Sequence, residues 1–146
     1  MAVDVRADID IGRPRAAVAS FAMEAENDPK WIGGISSARR LTEPPTAVGT
    51  RVERLASFLG RRIEYVMEVT EYSRNERIVM RSIKSPFPMR VTYSFEDVNS
   101  GTRASIHVEG DGGGFYAMAG SLLGPAVKRS ITRDLGTLRA LLEGDA

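Results

Sequence analysis

The sequence predicts a single α+β domain: seven strands in an antiparallel meander, two short helices after the first strand and one long helix towards the C-terminus. Three observations carry this. Stretches of period-two alternation between apolar and polar residues mark strands with one buried face. The links between most of these stretches are too short for the crossover that a parallel neighbour requires. From Phe115 onward the apolar residues change to near-helical spacing. The 146 residues, 42% of them hydrophobic, suit one ordinary domain spanning 1–146, and no repeat, linker or low-complexity segment divides them.

The elements follow in order. Val3, Val5, Ala7, Ile9 and Ile11 alternate with Asp4, Arg6, Asp8 and Asp10, which gives strand one. Gly12-Arg13-Pro14 breaks that pattern, and Pro14 suits a first helical turn ahead of Ala17, Val18, Phe21 and Ala22, a short amphipathic helix ending near Glu24. In Asn27-Asp28-Pro29-Lys30-Trp31, Asp28 reads as a capping residue followed by a first-turn proline, so a second short helix carries the only tryptophan until Gly33-Gly34 stops it. Six further strands are expected at 35–43, 50–58, 62–72, 77–84, 88–97 and 102–110. Turn residues separate them at Pro44-Pro45, Gly49, Gly60, Arg74-Asn75, Pro86 to Pro88 and Asn99-Ser100-Gly101. After the glycines at 112–114, Phe115, Met118, Leu122, Val127, Ile131, Leu135, Leu138 and Leu142 outline the long helix, with a bend expected at Gly124-Pro125.

Composition removes several classes of function. Twenty basic and 19 acidic residues give a net charge of +1, and the basic pairs lie far apart, so nucleic acid is not an expected partner. Without cysteine there is no disulfide framework, thiolate zinc site or cysteine nucleophile, and one histidine, His107, makes no imidazole cluster. No cofactor or metal is expected. The first residues carry alternating charges rather than a signal sequence, and the longest charge-free stretch, 112–127, is broken by glycine and proline and falls short of the ~20 apolar residues of a span. A cytoplasmic protein with no membrane span is expected.

Individual signals weigh differently. If Leu59-Gly60 forms a two-residue hairpin, Arg54 shares a sheet face with Tyr65 and Met67; a three-residue loop or a bulge would turn it to water. Inside, it would need a partner such as a ligand carboxylate or enolate, with Tyr65 or Tyr93 as a further donor. His107 alternates onto the wet face with Arg103, Ser105 and Glu109, and Glu64 and Glu68 read as solubilising charges. Gly112 to Ala117 matches G-x-G-x-x-A formally, but no parallel strand follows to complete a dinucleotide unit, so these glycines read as the lead-in to the long helix.

The order of elements, together with Pro14, Val18 and Phe21 in helix one, Asn27-Asp28-Pro29-Lys30-Trp31, Val48-Gly49-Thr50, Glu68-Val69-Thr70-Glu71-Tyr72, Tyr93-Ser94-Phe95-Glu96 and Gly101-Thr102-Arg103, resembles the START/Bet v 1-like (SRPBCC) superfamily. Within it the chain is similar to the polyketide cyclase/dehydrase and lipid-transport-like branch, over nearly its whole length. The resemblance implies a helix-grip fold, in which a curved sheet surrounds the C-terminal helix and leaves a cavity between them. On that wall are expected Tyr65, Met67, Met80, Met89, Tyr93 and Phe95 from the strands, joined by Arg54 if the hairpin has two residues, Phe21 and Trp31 from the short helices, and Phe115, Met118 and Leu122 from the long one. Pattern alone fits a solid core of the same residues, and an empty apolar void of about 300 Å³ would cost on the order of 7 kcal/mol.

The function implied is binding or transport of a small hydrophobic ligand such as a lipid, a polyketide or an aromatic metabolite. The alternative is a polyketide cyclase or dehydratase in which Arg54, Tyr65 or Tyr93 orients an enolate. A third reading, a protein-interaction module like the chaperone activators of the superfamily, finds no partner surface that stands out. Rieske-type oxygenase relatives need two histidines on iron, which this chain lacks.

Overall fold

Alternation in the sequence becomes burial in the computed structural model, which describes residues 3–58, 60–85, 88–110 and 123–144. In β1 (Val3–Ile11), Val3, Ala7 and Ile11 are buried while Asp4, Arg6, Asp8 and Asp10 are exposed. Then follow α1 (Arg15–Ala22), a 3-10 turn (Ala25–Asn27) and α2 (Asp28–Trp31). The remaining strands are β2 (Ile35–Arg40), β3 (Arg51–Phe58), β4 (Arg61–Ser73), β5 (Arg77–Lys84), β6 (Met89–Val98) and β7 (Gly101–Gly110), and α3 (Leu123–Leu142) closes the order. The strands form one curved antiparallel sheet in the order β1-β7-β6-β5-β4-β3-β2, so the meander runs from β2 to β7 and β1 returns to pair with β7. This is the helix-grip arrangement, with α3 packed on β1, β7 and α2.

Three details depart from the sequence reading. β2 ends at Arg40 rather than at 43, because the chain turns away towards Pro44-Pro45, which have no N–H to give to a ladder. Pro14 sits just before α1 in extended conformation, not inside its first turn. Asp28 does not cap α2: Asn27 precedes the helix without a side-chain cap, and the Asp28 carboxylate turns into the core. Gly124 and Pro125 lie at the start of the described part of α3. Phe115, Met118 and Leu122, the glycines at 112–114 and the turns that would show a bend at Gly124-Pro125 lie outside the described residues.

Two glycines fix the frame. Gly60 has φ +77° in the turn between β3 and β4, a left-handed conformation open to glycine at little cost, and it holds the register at Phe58 opposite Arg61. At Gly101 an added Cβ would lie 2.2 Å from the carbonyl oxygen of Ile11, so only glycine lets β7 start this close to the end of β1. The convex face carries cross-strand ion pairs: Arg39 with Glu53, Arg51 and Arg81 with Glu68, Arg90 with Glu109, and Arg103 with Asp10. Among the described residues no helix is long and apolar enough to cross a membrane.

Candidate ligand cavity

The register of β3 against β4 decides which way Arg54 faces. With Phe58 opposite Arg61, Arg54 pairs directly across from Tyr65, and both point to the concave side. Its other cross-strand neighbour is Ala38, whose small side chain leaves room for the guanidinium. Arg54 is only 4% exposed, and its partner belongs to the protein: Nε donates to Asp28 Oδ2 at 2.9 Å and Nη2 lies 2.8 Å from the same oxygen. Asp28 is itself 1% exposed.

The helix that brings Asp28 here also brings Trp31, because residues three apart share a helix face. Trp31 is buried and meets the Tyr93 ring edge-on, with centroids 5.7 Å apart. Arg54, Asp28 and Tyr93 therefore form one buried polar cluster supported by the indole. Burial pushes the Asp28 carboxyl above its usual range, and Arg54 draws it back. For Arg54, burial works against the cation, and Asp28 together with the Tyr93 and Tyr65 phenols more than reverses that, raising its pKa above the ordinary value. Burial likewise raises the Tyr93 phenol, against the pull of Arg54, so the hydroxyl stays protonated near neutral pH and acts as a neutral group.

This cluster stands at the inner wall of a cavity of about 190 Å³. Its apolar wall comes from Val3, Ile35, Ala56, Ile63, Met89, Val91, Ile106 and Val108 on the sheet and from Leu123, Val127 and Ile131 on α3. Arg54, Tyr65 and Tyr93 form its polar inner end, while Ser57, Ser130, Arg133 and Asp134 lie towards the rim, where Ser57 and Arg133 are exposed. Asp134 is buried, accepts a hydrogen bond from the Gly33 N–H at 3.0 Å, and has its carboxyl pushed up by burial. A second space of only about 10 Å³ lies on the other side of Arg54 and Tyr93, bounded by Ala22, Thr50, Val52, Val69, Ile78 and Met80 among others.

Of the residues singled out in the sequence, Arg54, Tyr65, Met89 and Tyr93 meet at the larger cavity. Met80 lines the small space instead. Trp31, Met67 and Phe95 are buried in the core and Phe21 packs half-buried against it, none of them lining the 190 Å³ cavity. Asp28 and Asp134 were not anticipated as parts of the site. Both carry a readable sign: Asp28 sits three residues before Trp31, and Asp134 interrupts the apolar stripe of Ile131, Leu135 and Leu138.

Among the described residues one group has the composition of a metal site, Asp4, His107 and Glu109 on the convex face. The imidazole, however, turns a different nitrogen to each carboxylate, Nε2 to Asp4 at 2.6 Å and Nδ1 to Glu109 at 3.7 Å, and Glu109 also takes two hydrogen bonds from Arg90. The group reads as part of the surface ion-pair ladder.

Comparison with known proteins gives a consistent picture. Residues 2–143 match the family model described as polyketide cyclase/dehydrase and lipid transport. No curated protein matches the sequence. Among solved structures, TTHA0849 from Thermus thermophilus superposes with a TM-score of 0.82 at 18% identity, covering 98% of this chain and 99% of that one. Zhui aromatase/cyclase from Streptomyces sp. R1128 gives 0.79 at 12% identity, with 98% and 94% covered. A START superfamily protein from Mycobacterium smegmatis gives 0.68 at 17% identity, with 97% and 95% covered. At these identities the likeness concerns the fold.

Proposed function

The chain belongs to the polyketide cyclase/dehydrase and lipid transport family, and on that premise we propose that it binds or carries a small hydrophobic molecule in the space between sheet and α3. Fold and family are compatible both with hydrophobic-ligand binding and with cyclase activity; the cavity favours the first. The observation that carries this reading is a space of about 190 Å³ whose wall is mostly aliphatic, with a few polar groups at its inner end and at its rim. An apolar occupant would remove this aliphatic wall from water, so binding stabilises the fold. The proposed contacts are Arg54, Tyr65, Met89 and Tyr93 with the aliphatic wall around them. Trp31, Met67 and Phe95 support these residues from behind.

The test is saturable uptake. Solvent extraction of purified protein with mass spectrometry identifies a carried species, and titration with single-ring apolar compounds measures the site. Ala56→Trp, which places an indole in the cavity, is expected to abolish uptake while circular dichroism stays native. Uptake that persists in this variant would put the ligand elsewhere.

The cyclase reading, with Arg54, Tyr65 or Tyr93 orienting an enolate, draws on the meeting of those three residues at the cavity wall. It is the weaker one, because Asp28 already engages the guanidinium that would stabilise the negative charge. Turnover of a poly-β-ketone analogue that is lost in Arg54→Met would favour it over simple carriage.

A further inference from the structure

The binding reading leaves the chemistry of the ligand open, and the charges around the cavity narrow it. We propose that the cavity selects an uncharged molecule of about one ring, a ketone or a phenol, and discriminates against carboxylic acids, because its inner cation is neutralised from within by Asp28. The inference rests on the binding reading.

The argument begins at Arg54. A buried guanidinium beside an apolar cavity would ordinarily attract an anion strongly, since no solvent screens it. Here both Nε and Nη2 are directed at one oxygen of Asp28, at 2.9 and 2.8 Å, and Asp28 is almost wholly buried. An incoming carboxylate would meet a dipole rather than a free cation, would feel Asp28 as well as Arg54, and would still lose its hydration at a cost of several kcal/mol.

The rim repeats the arrangement. Arg133 Nε lies 3.8 Å from Asp134 Oδ1, and the arginine is the exposed member, at 59% of its side chain, while the carboxylate is buried, at 7%. The charge nearer the interior is therefore negative. Among the described residues the charged groups of the wall are Arg54, Arg133 and Asp134. With Asp28 behind Arg54, two cations face two carboxylates, so among the described residues the wall has no net charge to offer an anion. Size adds its own limit: an apolar cavity of about 150 Å³ admits benzene, so one of about 190 Å³ admits a ring with a short substituent.

Acetophenone and benzoate test this directly, being nearly the same shape and differing in charge near neutral pH. Calorimetric or ligand-observed NMR titration of the full chain is expected to show acetophenone binding at least about tenfold more tightly than benzoate. Asp28→Asn, which frees Arg54 at almost constant shape, is expected to shift the affinity ratio towards benzoate by about tenfold or more. Benzoate binding as tightly as acetophenone in the wild type, or an unchanged ratio in Asp28→Asn, overturns the proposal. Should that variant fail to fold, Asp28→Leu combined with Arg54→Met replaces the pair by apolar groups: a retained ketone preference supports the proposal, and a selective loss of benzoate affinity overturns it by showing that Arg54 had been receiving the anion. Uptake of neither compound by the wild type defeats the binding reading itself and the selectivity with it.

Discussion

Along the concave face of the sheet the same alternation of inward side chains produces two different interiors. At the end beneath α1 and the 3-10 turn, Ala22, Met23, Val69, Ile78 and Met80 close to within about 10 Å³. At the end beneath α3, Val3, Ala56, Ile63, Val91, Ile106 and Val108 leave about 190 Å³. Arg54 and Tyr93 border both spaces and divide them. Met67, Met80 and Phe95 are buried in the core, whereas Val3, Ala56, Val91 and Val108 face the space left beneath α3.

The most forceful way to break this division is at its partition. Asp28→Ala leaves Arg54 buried without its carboxylate and is expected to lower the unfolding free energy by about 3–5 kcal/mol. In urea titrations the Asp28→Leu, Arg54→Met double variant should recover most of that loss. If the double variant stays as unstable as the single one, the pair matters for packing and not for charge compensation.

The same enlargement made at each end sharpens the contrast. Ala104→Leu, at a site 1% exposed between Ile9 and Phe95, should cost about 1–3 kcal/mol through overpacking. Ala56→Leu, which extends into the cavity, should change stability by less than about 1 kcal/mol while reducing ligand uptake. Equal costs at the two positions would mean that the ends do not differ in packing.

A pH measurement probes the rim of the hollow end. Burial raises the Asp134 carboxyl in the folded protein, so the native state holds that proton more tightly than the unfolded chain does. The stabilisation from this difference is complete below the unfolded-state value and is lost as pH rises through the folded-state value. Asp134→Asn, which keeps an acceptor for the Gly33 N–H, should therefore gain on the wild type as pH is raised from the acid side to neutral. A stability difference that does not change with pH would argue against a raised carboxyl. The smallest effect belongs to the convex face, where Glu68 bridges Arg51 and Arg81: Glu68→Gln should cost less than about 1 kcal/mol and less still in high salt.

Much of the fold was legible because it rests on periodicity. The alternation of β1, the glycine between β3 and β4, and the helical stripe from Val127 to Leu142 are local signals, and the structure follows them. The direction of Arg54 hangs on one turn length, which the sequence leaves open between two residues and three and which the register resolves inward. The partner of Arg54 was not legible in the same way, since Asp28 looks like a helix cap until the burial of Trp31, on the same helix face, carries it inside. Nor does a hydrophobic pattern distinguish a filled interior from a hollow one, because it records polarity and not the distance between facing elements.

The short link between β3 and β4 has a consequence for natural variation in chain length. Insertion of one residue between Phe58 and Arg61 reverses parity, so the chain must either bulge or turn Glu53 or Leu55 inward in place of Arg54. Asp28 would then lose its counterion, or the interior would gain a second acid. A single-residue indel in a surface turn thereby rewrites the electrostatics of the interior, and alignments of such proteins should show turn length and the residue at the Asp28 position changing together.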